Sequence, residues 1–145
     1  MKARTIIGWR EVVALPEFGI DEIKAKIDTG ARTSAIHAFK VVRFMKDEEE
    51  WVRFKIHPRA RRRKPEFVCE ARILGIRSVT SSNGIREKRI FIKTRLKLGP
   101  YTFPVELSLT NRDEMGYRML IGRSALKKRF IVDSGSSYTF VKEGK

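Results

Sequence analysis

An acid, a hydroxyl and a glycine stand in a row at Asp28, Thr29 and Gly30, inside the run KIDTGARTSAIHA that spans residues 26–38. A carboxylate held on a short rigid loop can take a proton from water and so make a nucleophile. The neighbours suit that work. Gly30 admits a close backbone approach that a side chain would block, Ala31 keeps the space above the loop open, and the Thr29 hydroxyl can hydrogen-bond locally. Upstream, Ile23, Ala25 and Ile27 alternate with Lys24 and Lys26, which reads as a half-buried strand delivering Asp28 to its exit. The tripeptide alone is equally compatible with an ordinary turn. Context comes from MLIGRSAL, residues 119–126, where two apolar residues and Gly122 lead into a helix-forming stretch.

The rest of the chain supplies strands to hold such a loop. Val52, Phe54 and Ile56 alternate with Arg53, Lys55 and His57; Ile90, Ile92, Leu96 and Leu98 take one face against Phe91, Lys93, Arg95 and Lys97. Phe103, Val105, Leu107 and Leu109 repeat the pattern, with Pro104 marking an edge or a strand start. Turns fall at Asp47 to Glu50, at Asn83-Gly84 and at Gly99-Pro100. Only GRSALKKRF, from Gly122, favours helix, with Ser124 as a cap and basic residues toward its end. The tract RARRRK, Arg59 to Lys64, lies between prolines and reads as an exposed loop. These patterns predict one mainly β domain over residues 1–145 with one short C-terminal helix.

Composition bounds the function. Nine Phe and a 41% hydrophobic fraction exclude a disordered chain. No apolar run approaches the ~20 residues that a membrane-crossing helix needs. The start, MKARTIIGWRE, breaks at Gly8, Trp9, Arg10 and Glu11 before a signal-peptide apolar region forms, and the single Cys69 fits a reducing cytoplasm. Thirty-two Lys and Arg against 17 Asp and Glu give +15 and a pI near 10.4, a field that gathers acidic partners. His37, His57 and Cys69 lack zinc-ligand spacing and no H-E-x-x-H is present, so no metal is expected; no Gly-rich phosphate loop with Lys supports ATP or another cofactor.

The Asp28 loop with the apolar-Gly segment resembles the retropepsin half of an aspartic peptidase. More closely, GWREVVALPE, KIDTGARTSAIHAF, HPRARRRKPE, SSNG and ELSLTNRDEMGYRMLIGRSAL are similar to recurrent segments of a retropepsin-like family often named ATP-dependent zinc proteases and associated with the RimK-type glutamate ligase. That resemblance implies a closed acid-protease barrel and a homodimer, because two carboxylates must meet at one water and the chain offers one convincing loop. Two copies of Asp28 in contact cannot both ionise, which leaves one acid and one base. Thr29 would brace the two loops, Gly30 would touch substrate backbone, and Ala31 would lie beside it. A flap hairpin is implied with its tip at Ser81, Ser82, Asn83 and Gly84, ahead of a strand pair at Glu87–Leu98 and Tyr101–Leu109. Retropepsins carry an acid after Asp-Thr-Gly-Ala that pairs with an Arg; here Arg32 and Arg123 occupy those two positions. Two uncompensated arginines suit bidentate binding of carboxylates, hence an acidic or polyglutamate peptide, such as a glutamylated ribosomal protein.

Three alternatives stand beside this reading. Asp133-Ser134-Gly135 copies the motif of a second lobe, but only ten residues follow Gly135, so Asp133 is expected to end a terminal strand before a turn. A nucleic-acid or ribosome-binding module would use RARRRK, Lys93, Arg95 and Lys97 on phosphates and an outward Phe91 under a base. An inactive peptidase fold used for binding is the third.

Overall fold

The computed structural model describes residues 3–59, 62–80, 83–111 and 116–140. Ten strands form one continuous sheet in the order β10-β1-β2-β9-β3-β8-β7-β6-β5-β4. They run, in chain order, β1 (Thr5–Leu15), β2 (Ile20–Asp28), β3 (Ser34–His37), β4 (Phe39–Lys46), β5 (Glu49–Ile56), β6 (Phe67–Thr80), β7 (Arg86–Leu98), β8 (Tyr101–Thr110), β9 (Met119–Gly122) and β10 (Phe130–Ser137). A pairing of Ala14 with Lys97 joins β1 to β7 and closes six strands, β1-β2-β9-β3-β8-β7, into a barrel. Strands β6, β5 and β4 extend the sheet beyond it.

Alternation sets which side chains fill the barrel. Ile23, Ala25 and Ile27 from β2, Leu96 and Leu98 from β7, and Phe103, Val105 and Leu107 from β8 are buried in one cluster. Each fully buried Ile or Leu among them contributes about 1.5–3 kcal/mol over its exposed state. Strand β5 behaves likewise: Val52, Phe54 and Ile56 are all sealed, and the Phe54 ring meets Phe18 edge-on at 5.6 Å. Pro104 does lie on an open edge, because β3 pairs with β8 only from Leu107 to Thr110. Among the described residues no helix is long and apolar enough to cross a membrane.

Turn chemistry is local and specific. Between β4 and β5 only Asp47 and Glu48 turn, both with positive φ (51° and 64°), so Glu49 and Glu50 already belong to β5. The helix α1 covers just Arg123–Leu126. Gly122, not Ser124, is its N-cap residue, and no side chain caps it, because Ser124 already lies inside the turn.

Glu11 is sealed inside yet carries a carboxylate. Its oxygens accept hydrogen bonds from the Gly8 N–H (2.6 Å), the Thr139 N–H (2.8 Å) and the Thr139 hydroxyl (2.7 Å). It therefore ties the segment after β10 back to β1, where the pairing register slips between Gly8 and Arg10. Truncation in Glu11→Ala leaves the Gly8 donor buried without an acceptor. We expect a loss of about 3 kcal/mol, read as a lower urea midpoint with an unchanged slope.

Candidate functional site

Asp28 is the last residue of β2 and pairs in parallel with Gly122, the last residue of β9. The chain then makes a compact loop: the Ala31 N–H donates to the Asp28 carbonyl at 3.2 Å and the Gly30 N–H to Asp28 Oδ1 at 3.2 Å. Leaving the loop, it enters β3 between β9 and β8. The crossing is tight. A Cβ on Gly122 would lie 2.5 Å from the Thr33 carbonyl oxygen, so only glycine fits. Ser34 Oγ accepts from the Gly122 N–H at 3.0 Å, while the Arg123 and Ser124 N–H groups donate to the carbonyls of Ala31 (2.9 Å) and Arg32 (3.1 Å). The Arg123 guanidinium completes the hold, with Nη1 donating to the carbonyls of Thr29 (3.3 Å) and Gly30 (3.1 Å).

The half-buried Asp28 lies on the wall of a cleft of about 1340 Å³, with Gly30, Ala31, Arg32 and Arg123 beside it. Thr29 faces a neighbouring cavity instead. The expected strand pair is present as β7 and β8, and β6 and β7 form the long hairpin that walls the cleft. Contact with the cleft comes from the hairpin's flanks, Arg77 to Thr80 and Arg89 with Phe91, not from Asn83 and Gly84, which sit in the connection and do not line it. That connection is longer than a two-residue Asn-Gly turn, because Thr80 is the residue that pairs with Arg86. Ser82 lies outside the described residues.

Several lining residues escaped the sequence reading. Arg77 pairs with Glu106 at 3.0 Å and lies over the Phe91 ring at 4.8 Å; Arg89 pairs with Glu87 at 2.6 Å. The signal was the triplet Ile90-Phe91-Ile92, in which adjacent apolar residues must serve opposite faces of the sheet. Phe91 is accordingly buried at 1% exposure, which corrects the expectation of an outward ring available to a base.

Asp133 also departs from expectation. It lies within β10, opposite Gly8, rather than at a strand end. The Ser136 hydroxyl (2.7 Å) and then the Gly135 N–H (2.9 Å) hold its carboxyl below the usual range, and it does not line the cleft.

His37 ends β3 and stacks near Phe39, while the half-buried His57 bonds Glu66 at 3.0 Å. Cys69 is buried, and that burial pushes its thiol up to about 12. Among the described residues no three His, Cys, Asp or Glu side chains converge.

A closed six-stranded barrel with an Asp-Thr-Gly loop seated against an apolar-Gly strand defines a retropepsin-like fold. The profile of the family described as the retropepsin-like aspartic endopeptidase RimB matches residues 6–143, and the chain belongs to that RimB-like family. It is 45% identical over 139 residues to a probable alpha-L-glutamate ligase of Shewanella pealeana, covering 96% of this chain and 30% of that protein. A protein of the same name from Parasynechococcus marenigrum is 44% identical over 138 residues, covering 95% and 30%. The chain thus spans under a third of the length of these curated relatives. A solved structure of a Legionella pneumophila protein of unknown function superposes with a TM-score of 0.80 at 25% identity, covering 96% of this chain and all of that one.

Proposed function

We propose that the chain is an aspartic peptidase that works as a homodimer, with one Asp28 from each copy sharing a proton at the attacking water. The observation that carries this reading is the Asp28 loop itself: a carboxylate presented to a large cleft on a loop braced by Gly122, Ser34 and Arg123. In a pair of such loops the ionised Asp28 takes a proton from water and the protonated one polarises the scissile carbonyl. Gly30, with no side chain, leaves room for substrate backbone, and Thr29 braces the two loops.

Substrate preference follows from charge. Arg32 and Arg123 both line the cleft, and no carboxylate pairs with either among the described residues. An extended acidic peptide supplies the missing counter-charge. The relatives named as probable alpha-L-glutamate ligases support a polyglutamate tail as that peptide and a RimK-type ligase as functional partner. A glutamylated ribosomal protein in the cytoplasm is the carrier we propose for that tail.

Peptides of equal length with glutamate, glutamine or lysine flanking the same scissile bond test this directly. The acidic peptide should show kcat/KM about tenfold or more above the neutral one, and the basic one should be slowest. A chelator should leave turnover unchanged and the active species should have twice the monomer mass. Equal turnover of all three peptides would remove the preference; no turnover of any would leave the binding-fold reading.

A further inference from the structure

The cavity beside Thr29 has a volume of about 980 Å³. Arg4, Arg32, Arg123, Lys127 and Lys128 line it, and among the described residues no carboxylate does. All five are exposed, and none forms an ion pair among the described residues. Arg123 spends one nitrogen on two neutral carbonyls, which leaves its charge uncompensated. Leu126, Phe130 and Val132 supply the apolar part of the wall.

We propose that this cavity binds an acidic peptide segment, and that its occupancy is what allows two copies to assemble the Asp28 pair. The inference rests on the dimer reading above, which brings Thr29 of one copy to Thr29 of the other. Five cations beside each Thr29 then approach five more. At separations below the Debye length of about 10 Å in 0.1 M salt, little screens that repulsion. A bound polycarboxylate neutralises it from within.

The chemistry favours carboxylates on a peptide chain. The planar guanidinium groups of Arg32 and Arg123 match carboxylate oxygens in pairs, and the two lysines add point charges. Arg32 and Arg123 line the cleft as well, so one extended chain can leave this cavity and enter the site of cleavage. A nucleic acid would also answer the charge, but among the described residues the only ring on the wall is Phe130, which is buried and cannot stack a base. By linkage, a ligand that promotes assembly is bound more tightly by the assembled form.

The test uses the full chain carrying Asp28→Asn, so that the probe is not cut. Labelled hexaglutamate binding is followed by anisotropy and mass by sedimentation velocity at low salt, with hexaglutamine and inorganic tripolyphosphate as controls. The chain alone should be a monomer, and hexaglutamate should make it a dimer. The double change Lys127→Glu, Lys128→Glu should weaken hexaglutamate binding about tenfold or more and permit dimers without peptide. Unchanged binding by that double variant, with an unchanged far-ultraviolet spectrum, overturns the site. Assembly driven as well by tripolyphosphate overturns the peptide assignment in favour of a general polyanion site. A constitutive dimer whose Asp28 form is active overturns only this inference. A permanent monomer that still hydrolyses peptide overturns the dimer reading itself.

Discussion

Asp28→Asn should lower kcat/KM for an acidic peptide by about 10³-fold or more while leaving the melting midpoint almost unmoved. The two halves of this expectation have separate physical grounds. Asn keeps the volume of the side chain and an oxygen to accept the one hydrogen bond the structure gives it, from the Gly30 N–H, so the loop keeps its shape. What it loses is the ability to bind and release a proton, which is the whole of its proposed task. Dimerisation sharpens the test. If both carboxylates are needed, mixing wild-type and Asn subunits should reduce activity as the square of the wild-type fraction. A linear fall would mean that each subunit works independently or that the monomer is the active form, and a fall that lags behind linear would mean that one acid per dimer suffices. Asp133→Asn provides the contrast. That carboxyl is committed to Ser136 and Gly135 and does not line the cleft, so activity should persist.

How much of this was legible beforehand depends on the range over which each feature is encoded. The strand of Asp28 was readable because burial on one face imposes period two, and Ile23, Ala25 and Ile27 obey it. The seat of the loop was legible only through the resemblance, which sets an Asp-Thr-Gly loop beside an apolar-Gly segment. The partner of Gly122 in the tight crossing, the Thr33 backbone, was not, because nothing in a side chain marks a backbone contact. The β7–β8 pair was placed correctly from alternation and from Gly99-Pro100. Asn83-Gly84 marks a reversal, and a reversal says nothing about which residues of the hairpin line the cleft. Arg77 and Phe91, which line it, lie just past the slip in register between Ile73 and Gly75, a feature that alternation alone does not mark. Glu11 was invisible for a similar reason. Its hydrogen-bond partner Thr139 lies 128 residues away, and only the closed barrel brings them together. The helix was overread, because helix-forming residues after Gly122 could not reveal that the chain leaves the helix at Lys127 to reach β10.

Gly122→Ala should give the second large effect, and of a different kind from the loss of the acid. An added methyl would lie 2.5 Å from the Thr33 carbonyl oxygen, 2.6 Å from its carbonyl carbon and 2.9 Å from its nitrogen, all backbone atoms that no rotamer change can move. Something in the crossing must shift, and the loop from Asp28 to Thr33 is the part without a strand ladder to hold it. Overpacking of this sort costs about 1–3 kcal/mol. A displacement near 1 Å of a catalytic group costs about 10²-fold in rate. The variant should therefore fold, melt earlier and lose about 100-fold or more in kcat/KM, so that stability and activity fall together where Asp28→Asn separates them. Truncating the Thr33 side chain should not restore it, since the obstruction is main chain. Gly30→Ala completes the comparison. There the nearest atom to an added Cβ is Asp28 Oδ1 at an ordinary 3.4 Å, so the free protein should tolerate the methyl with little change in melting. If its activity nonetheless collapses, the space above Gly30 is kept for something outside the chain, which is what a peptide laid along the Asp28 loop requires.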